Sequence, residues 1–263
     1  MDVDKLFDLS NQVAIVTGAS AGLGQVFAET LASKGAKLAL CARRAAPLRK
    51  FADALKKKYN VRVFYEVVDV TDEKQASRFC ASVFKTYGKI DILVNNVGTS
   101  GVTATDQPTF TISKERFSKE VEKNLHSCFI MSREAGKYMA KRHYGKIINL
   151  SSVLGIIASK GWYMPAYYAS KGGVVNLTRG LAVEFSQFGI NVNTIAPGTF
   201  PSESTKKDIF NDKKVMRYIE SLNPLHRLGK PDDLKGVVLL LASHASDYIT
   251  GQTISVDGGW TIW

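Results

Sequence analysis

Short apolar runs alternate along the chain with longer stretches in which apolar residues recur every three or four positions. The short runs lack polar alternation, so they read as strands buried on both faces of a parallel sheet. They fall at Val13–Thr17, Lys37–Cys41, Arg62–Val68, Ile90–Asn95, Lys146–Leu150, Ile190–Ile195 and Thr253–Val256. The amphipathic stretches predict helices at Gly22–Lys34, Ala45–Lys58, Glu73–Tyr87, Lys114–Arg142, Pro165–Phe188 and Asp232–Ala242, with Thr71 as a cap and Pro231 in a first turn. No internal repeat, low-complexity tract or Pro/Gly/Ser-rich linker interrupts this order. The pattern predicts an α/β protein, a Rossmann-like doubly wound seven-stranded parallel sheet with helices on both faces, as one domain over 1–263. Val97–Thr111 and Gly198–Pro224 are too long for ordinary connections. Both follow the carboxyl ends of strands, where open parallel sheets bind their ligands.

Composition narrows the class. With 263 residues, 45% hydrophobic and 22% charged, the chain is long enough to bury a full core and too apolar to be disordered. Cys41, Cys80 and Cys128 lack the close spacing of metal or redox pairs and read as core filler, so no metal is expected. The longest apolar run, Val237–Ala242, is six residues, against roughly 20 for a spanning helix. Asp2, Asp4 and Asp8 stand where a secretory leader carries positive and then apolar residues, which points to a reducing, cytoplasmic setting and no membrane partner. The formal charge of +11 attracts anions and brings nucleic acid into view. The basic residues are scattered, however, and Lys56–Lys58 is the only run of three, so a solvated basic surface without a nucleic-acid partner is expected.

Candidate chemistry begins after the first strand. In Thr17-Gly18-Ala19-Ser20-Ala21-Gly22-Leu23-Gly24 the glycines are spaced for a sharp turn that brings backbone against a pyrophosphate at a helix amino end. The spacing is Gly-x3-Gly-x-Gly rather than Gly-x-Gly-x-x-Gly. At the close of the second strand, Cys41-Ala42-Arg43-Arg44 offers two guanidinium groups where NAD-preferring proteins place an acid. Planar, permanently charged groups suit a 2′-phosphate, which predicts NADP(H) over NAD(H). Tyr167 and Lys171 lie four apart, on one face of a helix. An ammonium beside the phenol favours phenolate, so Tyr167 can give a proton in reduction and take one in oxidation. Ser152, after the Ile147–Leu150 run, can steady charge on a substrate oxygen.

Thr17-Gly18-x3-Gly22-x-Gly24, Asn95-Asn96-Val97-Gly98, Asn124, Ser152, Tyr167-x3-Lys171 and Pro197-Gly198, in this order, resemble the short-chain dehydrogenase/reductase family, and Val256-Asp257-Gly258-Gly259 matches its usual ending. The likeness spans nearly everything from Asn11 to Trp260 and is nearest to bacterial ketone, sugar-acid and 3-oxoacyl reductases. It implies a nicotinamide-dependent carbonyl reductase that interconverts a secondary alcohol and a ketone, with Asn124, Ser152, Tyr167 and Lys171 as its tetrad. In the resemblance Asn124 holds a water that links Lys171 to solvent, and Asp69 accepts from the adenine amine. Cofactor contact is implied for Thr17, Gly18, Ser20, Gly22, Leu23, Gly24, Arg43, Arg44, Asp69, Val70, Asn95, Gly98, Tyr167, Lys171, Pro197, Gly198 and Thr199. The family is usually dimeric or tetrameric, and a homotetramer is expected.

Several positions depart from the pattern. Fifteen positions separate Ser152 from Tyr167, about two more than usual, and the bulky Ser159–Pro165 segment implies an altered substrate wall. Ser151 is therefore a rival to Ser152, and Tyr163 and Tyr168 are neighbours that crowd Tyr167. Trp162, Tyr163 and Met164 suit either a substrate wall or an oligomer contact, and Gly172 and Gly173 imply close approach by another backbone, a neighbouring subunit being one candidate. Val97 replaces a common alanine, and Phe188 stands where carrier-protein reductases typically have arginine. A substrate lid is expected at about 199–225; Lys206, Lys207, Lys213, Lys214 and Arg217 give it a basic balance suited to a keto-sugar acid. The rival class is a catalytically silent dinucleotide-sensing or RNA-binding protein on the same fold.

Overall fold

The computed structural model describes residues 2–99, 108–201 and 213–262. Seven strands, β1 (Val13–Thr17), β2 (Lys37–Ala42), β3 (Val63–Val67), β4 (Ile92–Asn95), β5 (Gly145–Leu150), β6 (Ile190–Pro197) and β7 (Thr253–Val256), form one sheet in the order β3-β2-β1-β4-β5-β6-β7. Every neighbouring pair is parallel. The helices are α1 (Val3–Leu6), α2 (Leu23–Ser33), α3 (Ala45–Tyr59), α4 (Glu73–Tyr87), α5 (Lys114–Val121), α6 (Ser127–Ala140), α7 (Pro165–Ser186), α8 (Lys213–Ser221) and α9 (Lys235–Ala242).

Alternate strand residues go to opposite faces, and the apolar content of both sets explains the continuous runs. Ala14, Val16, Leu38, Leu40, Ile92, Val94 and Ile148 pack with Phe27 and Leu31 of α2, Leu48 and Leu55 of α3, and Val238 and Leu241 of α9. Val13, Ile15, Ala39, Cys41, Leu93, Ile147 and Val192 pack with Phe79 and Val83 of α4, Met131 and Ala135 of α6, and Leu181 of α7. All three cysteines are buried and unpaired, and burial pushes the Cys80 and Cys128 thiols up to about 12. The Lys56–Lys58 run occupies the last turn of α3, where positive charge meets the helix carboxyl end, and Lys58 pairs with Glu29 at 2.5 Å.

Three expectations change. The cap of α4 is Asp72, whose carboxylate accepts from the amides of Lys74 and Gln75, not Thr71 before it. The predicted helix over Lys114–Arg142 is interrupted by a π turn at Glu122–His126, a single-turn widening that hydrophobic periodicity does not signal. Pro231 opens a 3-10 turn over Pro231–Leu234, and α9 follows it. Among the described residues no helix is long and apolar enough to cross a membrane.

Candidate active site

Chain order turns away from β1 in both directions, to β2 on one side and β4 on the other. This switch point opens a crevice at the carboxyl ends of the strands. A cleft of about 530 Å³ lies there, lined by Gly18, Ser20 and Gly22 after β1, Arg43 and Arg44 after β2, Asp69 and Val70 after β3, and Asn96 and Gly98 after β4.

The turn after β1 is tightly packed at Gly24 and open at Gly22. A Cβ on Gly24 would stand 2.6 Å from the Gly18 carbonyl oxygen, whereas Gly22 has no atom within 4 Å of that position and faces open space. Backbone is thus exposed to the cleft just before α2, whose amino end carries partial positive charge. Thr17, Leu23 and Asn95 serve this shape from behind. Thr17 is buried; its Oγ1 accepts from the amides of Asn96 (3.0 Å) and Val97 (3.2 Å). Leu23 packs on the core, and Asn95 Nδ2 donates to Asn149 Oδ1 and Ser132 Oγ, both at 2.9 Å.

Arg44 donates to Ser20 Oγ at 3.3 Å, and Arg43 lies 3.8 Å from Asp69. The Asp69 carboxylate also accepts from the Thr71 amide and hydroxyl. Both arginines therefore line one cleft together with Asp69 and Ser20. Lys123, in the π turn, joins this lining and was not anticipated; burial and the nearby Arg43 hold its amine below the usual lysine range. Asn96 was also missed, although it lies inside a recognised motif: its Nδ2 donates to the Thr17 carbonyl at 3.0 Å.

Gly98, in the cleft lining, leads to Asn124 and Lys171, and Lys171 to Tyr167. Lys171 is 4% exposed. Its Nζ donates to the Leu150 carbonyl at 2.9 Å and lies 5.8 Å from the Tyr167 ring centroid, one helical turn back. Burial pushes this amine down to about 8, against which the Glu120 carboxylate acts. A Cβ on Gly98 would be 3.0 Å from Asn124 Oδ1 and 3.2 Å from Lys171 Nζ, so only glycine lets β4 approach both. Asn124, buried in the π turn, accepts from the Thr99 amide at 2.9 Å and donates to Ser170 Oγ at 3.0 Å.

Ser152 ends β5's loop and caps a 3-10 turn, Val153–Gly155, accepting from the Leu154 amide at 3.2 Å. Its hydroxyl proton is left to donate. Ser151 is committed elsewhere, donating to the Lys171 carbonyl at 2.7 Å. Tyr168 is likewise committed, bonding the Ser159 amide and the Trp162 carbonyl at 3.1 Å each, and Tyr163 is exposed. Trp162 packs edge-on to Trp260 at 5.7 Å, in a small cluster with Val153, Leu154, Met164 and Tyr167. With Tyr163 between them exposed, Trp162 and Met164 thus pack within the chain. The same holds for the helix glycines: Cβ atoms at Gly173 and Gly172 would meet the Leu125 side chain at 2.8 Å and the Gly155 carbonyl at 3.6 Å. The close backbone approach belongs instead to Gly155, whose Cβ would lie 2.7 Å from the Lys171 carbonyl.

Pro197 ends β6, and the Gly198 amide donates to the Val256 carbonyl at 3.0 Å. Thr199 lines a second cavity of about 530 Å³ with Phe200, Asn223 and Asp257. Phe188 turns inward against the core. In the 199–225 stretch, α8 buries only Ile219, and Tyr218 donates to the Lys160 carbonyl at 2.9 Å, linking it to the bulky segment. Lys206 and Lys207 lie outside the described residues, as do Ser100 and Gly101 of the other long connection. Among the described residues no group of three His, Cys, Asp or Glu side chains is placed to hold a metal.

A switch-point cleft with a glycine turn beneath a helix amino end defines a dinucleotide-binding α/β protein. A family model described as enoyl-(acyl carrier protein) reductase matches residues 18–261. A 3-oxoacyl-[acyl-carrier-protein] reductase of Rickettsia prowazekii is 34% identical over 254 residues, covering 97% of this chain and 98% of that one. A gluconate 5-dehydrogenase of Gluconobacter oxydans is 33% identical over 257 residues, with 98% and 97% covered. The crystal structure of a gluconate 5-dehydrogenase from Burkholderia cenocepacia in complex with NADP and tartrate is 30% identical and superposes with a TM-score of 0.92 over 99% of each chain. The chain belongs to the short-chain dehydrogenase/reductase family, and so to the NAD(P)-dependent oxidoreductases of alcohol/ketone type.

Proposed function

We propose that the protein is an NADPH-preferring carbonyl reductase that interconverts a secondary alcohol and a ketone, with Tyr167 as general acid in reduction and general base in oxidation. The observation that carries this reading is the buried Lys171 amine, held by the Leu150 carbonyl against the Tyr167 ring. A cation in that position favours the phenolate, so it eases proton release from the phenol. Ser152 donates to the substrate oxygen and steadies the charge that grows there. Asn124 and Lys171 orient and replenish the phenol.

The turn at Gly18–Gly24 fits a pyrophosphate, because Gly22 leaves backbone open to the cleft just before the amino end of α2. Arg43 and Arg44 fit a 2′-phosphate, and Asp69 an adenine amine. When bound, the nicotinamide supplies or accepts the hydride equivalent. NADP in the Burkholderia gluconate 5-dehydrogenase structure is consistent with the phosphate-binding reading. We take α8 and the described residues flanking it in the 199–225 stretch, of which 202–212 lie outside the described residues, as the substrate lid, and Trp162–Met164 as part of the substrate wall. Lys213, Lys214 and Arg217 on the lid helix favour an acidic keto compound, such as a keto-sugar acid, and Phe188 in the core offers no cation to a carrier protein. The assembly that goes with this reading is a cytoplasmic homotetramer, or a dimer, covering apolar side chains exposed on α6 (Phe129) and α7 (Val183).

The test is a panel of ketones, including keto-sugar acids, assayed with NADPH and with NADH. The wild-type chain is expected to oxidise NADPH faster. Tyr167→Phe is expected to lower kcat by roughly 10²–10⁴-fold while the NADPH dissociation constant changes little. Preference for NADH removes the Arg43/Arg44 reading. Tight RNA binding at physiological salt without turnover favours the silent-protein alternative.

A further inference from the structure

The Thr99–Asn124 contact continues past the groups discussed so far. Glu120 lies one turn before Asn124 on α5, half-buried, and its Oε1 accepts from Asn124 Nδ2 at 3.1 Å and from the Thr99 hydroxyl. The Asn124 amide also bonds Ser170 of α7, one residue from Lys171. Three elements, the strand extension after β4, the α5 end and α7, are therefore tied through the Asn124 side chain, and the Glu120 carboxylate holds two members of this set, Asn124 and Thr99. A carboxylate accepts two donors without a compensating donor of its own, so it orders both neighbours at once.

We propose that Glu120 is a positioning residue of the reductase reaction: it fixes the Asn124 carboxamide so that Oδ1 faces Gly98 and Lys171, and it brings a negative charge to the side of the buried Lys171. This rests on the proposed function above. The geometry gives the clamp, and the attraction between Glu120 and Lys171 opposes the desolvation that pulls the amine down. The titratable groups that face Lys171 are Tyr167 on its own helix, Cys128 on α6 and Glu120 on α5. Glu120 is in turn attracted to Lys123 of the π turn, near which Arg43, Arg116 and Asp69 also lie. Cys128, a thiol raised to about 12, carries no charge at working pH, so Glu120 supplies the negative charge in this set.

Glu120→Gln and Glu120→Ala separate the two parts, because the amide keeps an acceptor and loses the charge whereas alanine loses both. The pH profile of kcat for reduction is compared with wild type, alongside KM, the NADPH dissociation constant and the melting temperature. Glu120→Gln is expected to move the alkaline limb down by roughly half to one pH unit, since loss of a nearby negative charge favours the neutral amine. Glu120→Ala is expected to show the same shift and a further several-fold fall in kcat, with KM and NADPH binding within about two-fold. A Glu120→Gln profile that superimposes on wild type overturns the proposal, whatever alanine does. That outcome leaves the proposed function standing if Tyr167→Phe is inactive; an active Tyr167→Phe, or a wild type without turnover, removes the function itself and the inference with it.

Discussion

The turn at Gly18–Gly24 and the segment from Ser152 to Tyr167 both lie at the carboxyl edge of the sheet, and they are built from different materials. In the first, backbone meets backbone: the Gly18 carbonyl lies where a Gly24 side chain would begin, and strands β1 and β4, with all of β2 but Lys37, are buried beneath it. In the second, side chains do the holding. Trp162 rests on Trp260, Tyr168 pins Ser159 and Trp162, and only Val153, Leu154, Met164 and Trp260 form its buried nucleus. Backbone packed on backbone tolerates little change and serves one ligand shape. A wall of aromatic side chains on loop segments can be rebuilt residue by residue, which suits the half of a site that meets variable substrates.

The sharpest way to break this comparison is Gly24→Ala. The methyl group would meet the Gly18 backbone carbonyl as well as the Asn96 side-chain amide, so a loss of roughly 2–4 kcal/mol of stability is expected in urea unfolding, with NADPH binding lost in parallel. A tolerated substitution with full cofactor affinity means that the turn is not backbone-limited. Lys171, which packs against Gly155 of the second region, gives a change of opposite sign. Its amine is lowered from an ordinary 10.5 to about 8, so between those values the unfolded chain binds more protons and stability rises with pH; below pH 8 the buried charge is a full penalty. Lys171→Met is therefore expected to stabilise the protein at pH 7 by roughly 2 kcal/mol, a gain that fades as pH approaches 10.5, while abolishing turnover. Thermal melts at pH 7 and pH 10 check it, and equal melting temperatures for the two proteins at pH 7 contradict the burial cost. The smallest effect is expected on the wall. Trp162→Ala loses an edge-to-face contact and part of a half-buried ring, roughly 1–2 kcal/mol. KM for the ketone is expected to rise while NADPH binding is unchanged; a fall in NADPH affinity instead means that the two regions are coupled.

How far the site was legible follows the same division. Glycine spacing, the Arg43-Arg44 pair and the Tyr167–Lys171 interval are local facts, readable because each needs only the geometry of one turn or one helix. Asn124 was recognised by resemblance, but the π turn that carries it, and the Glu120 carboxylate below it, have no signature in hydrophobic periodicity. The choice between Ser151 and Ser152 was open along the chain and depends on which hydroxyl the Lys171 carbonyl captures.

The alternation of short buried runs and amphipathic stretches determined the parallel, doubly covered sheet, since strands with two apolar faces have no stable place except between two layers of helices. Residue type and interval determined where phosphate and proton chemistry are available. Only the tertiary structure decided which of those groups meet: that Gly98 passes between Asn124 and Lys171, that Trp162 folds onto Trp260 rather than outward, and that the two helix glycines accommodate neighbours within the chain. These are contacts between segments distant in sequence, set by close packing of the whole core, and no local interval encodes them.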